Sequence, residues 1–414
     1  MKIKIWKLLG LLSIVIFMLS IAGSVHAASL TSTIKTGVGP IGVVYDPAMH
    51  EIFVDNYYGG DIQVISDSTN QQVADVTALT QYAGAPFNLA YDSVKGEIWV
   101  ADATGAYAIS DATNQIVANV TNIIPSWGTL WQIAYDPGTG EVFVNCNTFT
   151  GVGSPYMQVI SDSSNTIIAN VTQAGSLFAS GSFVDDSAKS EIFAAGTSEI
   201  YVISAKTNTV TNTIPVSGTP GEFAYDSGKG EIFFINSVYN SSALNNYSNV
   251  LQAISDSTYK VTATINLPTS VGGAMAYNPN KGEIYIDDGT AIAIFSDSTN
   301  NLVGTVNTNG TAGSIAYDSG TGTVYAINNE GSTSGSMGSL AVISDPSSST
   351  GTSTSTSTST PTSSTGTSAT ASPTSTPKVP EFSNAALISV AAAIVAVTLC
   401  TVALTARRRK TIPR

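Results

Sequence analysis

Residues 90–120 read AYDSVKGEIWVADATGAYAISDATNQIVANV, and this stretch decides the fold. A small-residue strand ends in Tyr91-Asp92, and a second strand follows as Glu97-Ile98-Trp99-Val100. Between them the Asp side chain can bond the backbone ahead of it, and Gly96 can take a left-handed conformation, so the joint is a tight hairpin. A third strand ends in Ile109-Ser110-Asp111, a polar turn follows, and Ile116–Val120 alternates like a half-buried strand. Four strands in immediate succession make one antiparallel sheet.

The same unit recurs every 40 to 52 residues along the chain. Its first joint appears at Val44-Tyr45-Asp46, Ala90-Tyr91-Asp92, Ala134-Tyr135-Asp136, Ala224-Tyr225-Asp226, Ala276-Tyr277-Asn278 and Ala316-Tyr317-Asp318. A degenerate copy, Val184-Asp185-Asp186, brings the number to seven. The third strands end in Ile65-Ser66-Asp67, Ile160-Ser161-Asp162, Ile254-Ser255-Asp256, Phe295-Ser296-Asp297 and Ile343-Ser344-Asp345. Repeats of four short strands at this period predict an all-β fold, a seven-bladed β-propeller of four-stranded antiparallel blades over residues 28–345. The seventh copy ends at Asp345 without a fourth strand, and Leu30–Lys35 (LTSTIK) resembles the fourth strands elsewhere. The N-terminal strand is therefore expected to complete the last blade and close the ring, which leaves no long free edge.

The second strands end in Phe53-Val54-Asp55-Asn56, Trp99-Val100-Ala101-Asp102, Phe143-Val144-Asn145-Cys146, Phe233-Phe234-Ile235-Asn236, Tyr285-Ile286-Asp287-Asp288 and Tyr325-Ala326-Ile327-Asn328. At that place these tetrads resemble the YVTN-type propeller repeats of archaeal and bacterial surface proteins. The fourth copy, Phe193-Ala194-Ala195-Gly196, departs from the pattern. The resemblance implies a propeller fold and a cell-surface or surface-layer location, and it names no activity.

The two ends carry transport signals. Residues 1–27 combine Lys2, Lys4 and Lys7, an apolar run and Val25-His26-Ala27, which reads as a signal peptide cleaved near Ala27. Residues 346–382 are nearly all Ser, Thr, Pro and Gly up to a Pro380-Glu381-Phe382 motif, a composition too poor in apolar groups to fold. They read as an O-glycosylated stalk. Residues 383–406 are uncharged and as a helix would span a hydrocarbon core of about 30 Å. Arg407-Arg408-Arg409-Lys410 opens the 407–414 tail and keeps it cytoplasmic, with the propeller outside the cell membrane. The order of Pro-Glu-Phe, apolar span and basic cluster resembles the archaeal PEF-CTERM sorting signal, which implies exchange of the span for another anchor. A permanent single-pass anchor is the alternative.

The net charge is −13, and between the two basic ends only eight basic residues stand against 29 acidic ones. Such a surface repels nucleic acid. Cys146 and Cys400 are the only cysteines, and Cys400 lies in the apolar span, so no disulfide is expected. Once the signal peptide is removed His50 is the only histidine, and it falls in a hairpin turn. No nucleophile elbow and no Cys-His pair can form, so no catalytic residues are assigned.

Alternating strand direction puts the loops before each first strand and after each second strand on one face. Long loops begin there at Asn145, Asn236 and Asn328. Three residues before each repeat's Tyr lie Gly42, Asn88, Gln132, Ser182, Glu222, Ala274 and Ser314, which by register ring the channel mouth. Asp55, Asn56, Asp102, Asp287 and Asp288 start the other loops of this face, as strand caps or as oxygen ligands for Ca²⁺. No EF-hand spacing accompanies them, and no metal or other cofactor is called for. Tyr57, Tyr58, Trp127 and Trp131 offer flat rings that pack a loop or stack on sugars. Asn119, Asn170, Asn240, Asn246 and Asn309 are N-glycosylation acceptors by sequence. These features together point to a non-enzymatic surface module for adhesion, surface-layer association or ligand capture. Its partner class would be a cell-surface protein or glycan. A metal-dependent extracellular hydrolase resembling lactonase propellers is the alternative.

Overall fold

The computed structural model describes residues 28–77, 86–102, 105–121, 123, 128–148, 156–171, 182–241, 247–268, 273–308, 310, 312–328 and 336–345. The expected signal peptide, stalk, membrane span and tail lie outside the described residues. No helix among the described residues is long and apolar enough to cross a membrane.

Seven four-stranded antiparallel sheets are present. Blade 1 runs through Pro40–Asp46, Glu51–Asn56, Asp61–Ser66 and Gln71–Val76, in that order from the ring centre outward. Blades 2 to 6 occupy residues 86–121, 128–171, 183–215, 219–266 and 275–307 in the same order. Blade 7 takes three strands from residues 312–344, and its outer strand is Ser29–Val38. The seven inner strands touch one another in sequence, and the inner strand of blade 7 touches that of blade 1, so the ring is closed.

Both turns of the repeat use left-handed residues. The first holds Gly96, Gly140, Gly230 and Gly282 at φ between 65° and 69°. At Gly96 a side chain would also meet the Asp111 carboxylate, since a Cβ there would lie 2.5 Å from Oδ2. Blade 1 fills this place with His50 at φ 58°, whose Nδ1 sits 3.2 Å from Asp67 Oδ2. The second turn holds Asn70, Asn114, Asn165, Asn208 and Asn300 at φ of 53–57°, a conformation Asn tolerates better than most residues.

Each outer strand carries a β-bulge at one shared position. Val64 pairs Ala74 and Ile65 pairs Gln72, which leaves Val73 without a partner. The same skip falls on Val117, Ile168, Thr211, Thr262 and Val303 in blades 2 to 6. On the N-terminal strand it falls on Thr31. The hydroxyls of Thr31, Thr211 and Thr262 each donate back to the strand they cover, to the carbonyls of Val342, Val202 and Ala253. Ser29–Val38 is thus a repeat's fourth strand displaced to the other end of the chain. A bulge bends and twists the exposed edge, which discourages pairing with another chain.

Among the described residues the apolar interior falls into seven clusters, and each joins two neighbouring blades. Ile52 and Val54 face blade 7, whereas Phe53 faces blade 2, because successive side chains of a strand point to opposite faces. This explains why the second strands read as unbroken apolar runs. The repeat's Tyr stacks on the second-strand aromatic of the preceding blade: Tyr45 on Tyr325, Tyr277 on Phe233 and Tyr317 on Tyr285, with centroids 6.2, 6.2 and 6.4 Å apart.

Ring closure is testable at the N-terminal strand. Ile34 is 9% exposed in the cluster that joins blades 7 and 1. Ile34→Ala is expected to cost about 2–4 kcal/mol in urea unfolding. Thr31→Ala removes one partly exposed hydrogen bond and should cost about 1 kcal/mol or less. Equal effects would show that the strand is not packed as described.

Candidate functional site

Inner strands begin, and second strands end, on one face of the ring, as the pairs Pro40–Asn56, Gly42–Asp55 and Asn88–Ala101 show. The residues expected to ring the channel mouth meet one another there. A Cβ on Gly42 would lie 3.5 Å from Asn88 Cα. The Asn88 amide donates to Gln132 Oε1, and Asn88 Oδ1 accepts its neighbour Leu89 N at 2.8 Å. The Ser182 hydroxyl donates to Glu222 Oε2 at 3.4 Å. Ser314 Oγ accepts Val43 N at 3.4 Å, across the seam that closes the ring. The mouth is therefore lined by amides on blades 2 and 3, hydroxyls on blades 4 and 7, and one carboxyl on blade 5. Burial pushes the Glu222 carboxyl above the usual range, and the Ser182 hydroxyl partly offsets this.

Behind the inner strands, the fifth residue of the second strand is polar in blades 1, 3 and 6 (Asp55, Asn145 and Asp287) and apolar in the other four. Where the inner strand offers Gly42, the space is taken by Asp55, whose Oδ2 lies 3.1 Å from where a Gly42 Cβ would be. Asp55 is fully buried and neither carboxylate oxygen has a hydrogen-bond donor. Burial, and then the nearby charge of Asp61, raise its pKa well above normal. Asn145, the matching residue of blade 3, is likewise fully buried with neither amide atom bonded. The sequence marked Asn145 only as the start of a long loop, and its buried, unbonded amide is a property of the folded ring.

The remaining sequence candidates separate into local roles. Asn56 donates to Asp61 Oδ2 at 2.7 Å and packs under Gly37. Asp102 Oδ1 accepts Gly105 N at 2.7 Å and Asp287 Oδ1 accepts Gly289 N at 2.9 Å, so both hold tight turns. The Asp288 backbone N donates to Ala291 O in the same turn. Asp55 departs from this pattern, since it caps nothing. Tyr57 and Tyr58 meet edge to face at 4.8 Å, and Tyr58 covers Gly39. Trp127, Asn246 and Asn309 lie outside the described residues, as does the side chain of Trp131. Asn119 and Asn170 are exposed on outer strands, where Asn170 Oδ1 accepts Gln158 Nε2 at 2.9 Å. Asn240 is exposed at the tip of a long hairpin and donates to Ser248 Oγ at 2.7 Å.

That hairpin, Glu231–Tyr239 with Tyr247–Ser255, is longer than its counterparts in the other blades and rises above the mouth of blade 5. Tyr239 and Tyr247 stand 66% and 57% exposed at its end, edge to face at 5.9 Å. Among the described residues no three His, Cys, Asp or Glu side chains converge as a metal site would require.

The opposite face is stitched by the repeat's own polar residues. Asp46, Asp92, Asp136, Asp226 and Asp318 are fully buried and bond the turn that follows them. Lys189 bridges to Asp256 at 2.9 Å and Lys229 to Asp297 at 3.0 Å, each one blade onward. Lys95 to Asp162 and Lys281 to Asp345 follow the same pattern. These acids, which give the sequence its negative balance, belong to the scaffold.

No protein-family model matches this chain, and no curated protein sequence matches it. Among solved structures, a chain of the Kuenenia stuttgartiensis hydrazine synthase superposes with a TM-score of 0.60 at 14% identity, covering 72% of this chain and 95% of that one. At that identity the likeness shows the propeller fold. As 1587 solved chains match, it marks a widely used architecture and singles out no activity.

Asp55→Asn tests the electrostatics of the mouth. A carboxyl whose folded pKa is raised weakens the fold above that pKa, and the penalty disappears below the unfolded pKa. The variant should therefore melt at a higher temperature than the parent at pH 7, with the gain lost on acidification to about pH 3.5. A gain that is independent of pH would show that Asp55 is not desolvated.

Proposed function

We propose that the chain is a non-enzymatic binding module displayed at the cell surface, and that its channel-mouth face takes a neutral, hydroxyl-rich ligand such as an envelope glycan. The observation that carries this reading is the make-up of the mouth. Amides and hydroxyls of Asn88, Gln132, Ser182 and Ser314 line it, with Glu222 held toward its neutral form by burial. Such groups both donate and accept hydrogen bonds, which suits sugar hydroxyls, whereas ionic ligands call for fixed opposite charge. Asn145 adds a buried amide with bonding capacity unused.

The exposed Tyr239 and Tyr247 on the same face supply flat apolar surface for a sugar ring. The ends of the sequence support display: a secretory leader at 1–27, a Ser/Thr-rich spacer at 346–382 and an apolar span at 383–406 followed by basic residues. The YVTN-like tetrads and the Pro380-Glu381-Phe382 motif agree with a surface protein that is either permanently anchored or transferred by a sorting enzyme.

Two measurements test this. Protease treatment of intact cells should remove the propeller, and mass spectrometry should find the mature N-terminus near Ala28. The full chain is then placed on an array of envelope polysaccharides and on immobilised surface-layer protein. Retention on a polysaccharide that falls at least tenfold in Asn88→Ala/Gln132→Ala, with melting unchanged, supports the mouth as the site. Retention only on surface-layer protein, or no loss in the double variant, overturns the glycan reading. A protease-resistant propeller overturns display.

A further inference from the structure

Six of the seven seams between blades share one construction. The Tyr of one blade reaches back over the inner-strand terminus of the blade before it: Tyr91 faces Asp46, Tyr135 faces Asp92, Tyr225 faces Asp186, Tyr277 faces Asp226 and Tyr45 faces Asp318. At the sixth, Tyr317 accepts a hydrogen bond from Asn280 at 3.0 Å. Four seams add a bridge from the turn lysine to the next blade's Ile-Ser-Asp carboxylate.

The seam between blades 3 and 4 lacks every one of these parts. The turn lysine is replaced by Thr139, whose hydroxyl donates to Asp136 Oδ2 at 2.8 Å. The Ile-Ser-Asp carboxylate is replaced by Ala205, and the Tyr by Asp185. The left-handed glycine is replaced by Ser190, whose Oγ lies 2.4 Å from where a Gly138 Cβ would be, so the two turns are in close contact. The seam therefore holds Asp136, fully buried, facing Asp185, with fully buried Asp186 beside it. Asp185 Oδ1 and both Asp186 carboxylate oxygens have no hydrogen-bond donor.

We propose that this seam is a proton-held latch: Asp185 carries a proton in the closed ring, and its ionisation makes the junction between blades 3 and 4 the first to open as pH rises.

Two carboxylates and a third neighbour cannot all be ionised in a site with little water. Asp136 accepts hydrogen bonds from the Thr139 hydroxyl and from the Gly138 backbone N at 3.0 Å. Asp186 has the positive charge of Lys189 nearby. Asp185 has no such cation, so it is the group that takes the proton. Burial first, then Asp136 and Asp186, raise its pKa to about 8.

The other charged groups at this junction are accounted for. Lys189 is spent on Asp256 of blade 5, Tyr259 donates to Glu191 at 2.8 Å, and Tyr135 donates to Asp162 at 3.1 Å. Glu141 of blade 3 accepts Asn208 of blade 4 at 3.3 Å, a tie across the same seam that brings no cation. None of them places a cation on Asp185.

The direction follows from linkage. Below the ordinary aspartate range Asp185 is protonated whether the chain is folded or not. From there up to about pH 8 only the folded chain keeps the proton, so stability falls as pH rises. Above that range the penalty is complete and constant.

The test is thermal melting of the full chain from pH 5 to pH 9, with Asp185→Asn and Asp185→Tyr alongside. Other raised carboxyls titrate in both parent and variants, so the readout is the difference between them. The parent's melting temperature should drop relative to Asp185→Asn by on the order of 5 °C over this range. Asp185→Tyr should be the flatter and the more stable chain, since it restores the construction of the other six seams. Hydrogen exchange, corrected for the intrinsic pH effect, should rise first at Phe183–Asp186. Parallel melting curves for parent and variant overturn the proposal, as does opening that begins at another seam. If Asp185→Asn does not fold, Asp185→Tyr against the parent gives the same comparison.

Discussion

The packing of one blade against the next is the constraint on which the rest of this molecule depends. A single four-stranded sheet of about thirty residues cannot bury a core alone. Here each sheet is covered on both faces by its neighbours, and the apolar side chains fall into seven seam clusters. The arrangement is stable only if it closes, because an open ring leaves two sheet faces wet. Closure is made by a strand from the other end of the chain, with the bulge and back-bonded threonine of an ordinary fourth strand. Sequence-distant pairing of this kind constrains the whole ring at once.

The two faces of the ring have divided their work. On one, the chain turns through short hairpins that repeat almost unchanged, and buried aspartates, tyrosines and left-handed glycines stitch each blade to the next. Little there can vary without loosening a seam, and the seam between blades 3 and 4 is where variation has occurred. On the other face, residues at equivalent positions vary around the mouth: glycine, amide, hydroxyl, carboxyl and alanine all occur there. A rigid ring that tolerates such variety on one face suits recognition of a ligand by polar groups.

Much of this was legible in the chain itself. The Tyr-Asp joints, the Ile-Ser-Asp strand ends and the LTSTIK segment specify blades, strand order and closure, because turn chemistry and strand alternation are local properties. The membership of the mouth followed from register once the repeats were aligned. Asp55 and Asn145 were less readable. Each sits in a tetrad that looks like its neighbours, and only the adjacent blade makes one a desolvated carboxyl and the other an amide without partners. Of the two roles the sequence left open for Asp102 and Asp287, strand cap or oxygen ligand, the structure shows both holding turns through backbone donors.

The sequence by itself determined the repeat, its four-strand content and the left-handed positions, because each depends on residues within a few places of one another. The tertiary structure alone decided which carboxyl groups face solvent, which face a cation and which face another carboxyl. Asp185 is an aspartate in a degenerate copy until blade 3 is placed against it; then Asp136 lies across a buried seam, and the cost of a second charge becomes a property of the ring. Electrostatic energy depends on distance and on excluded water, and neither is written in the order of the residues.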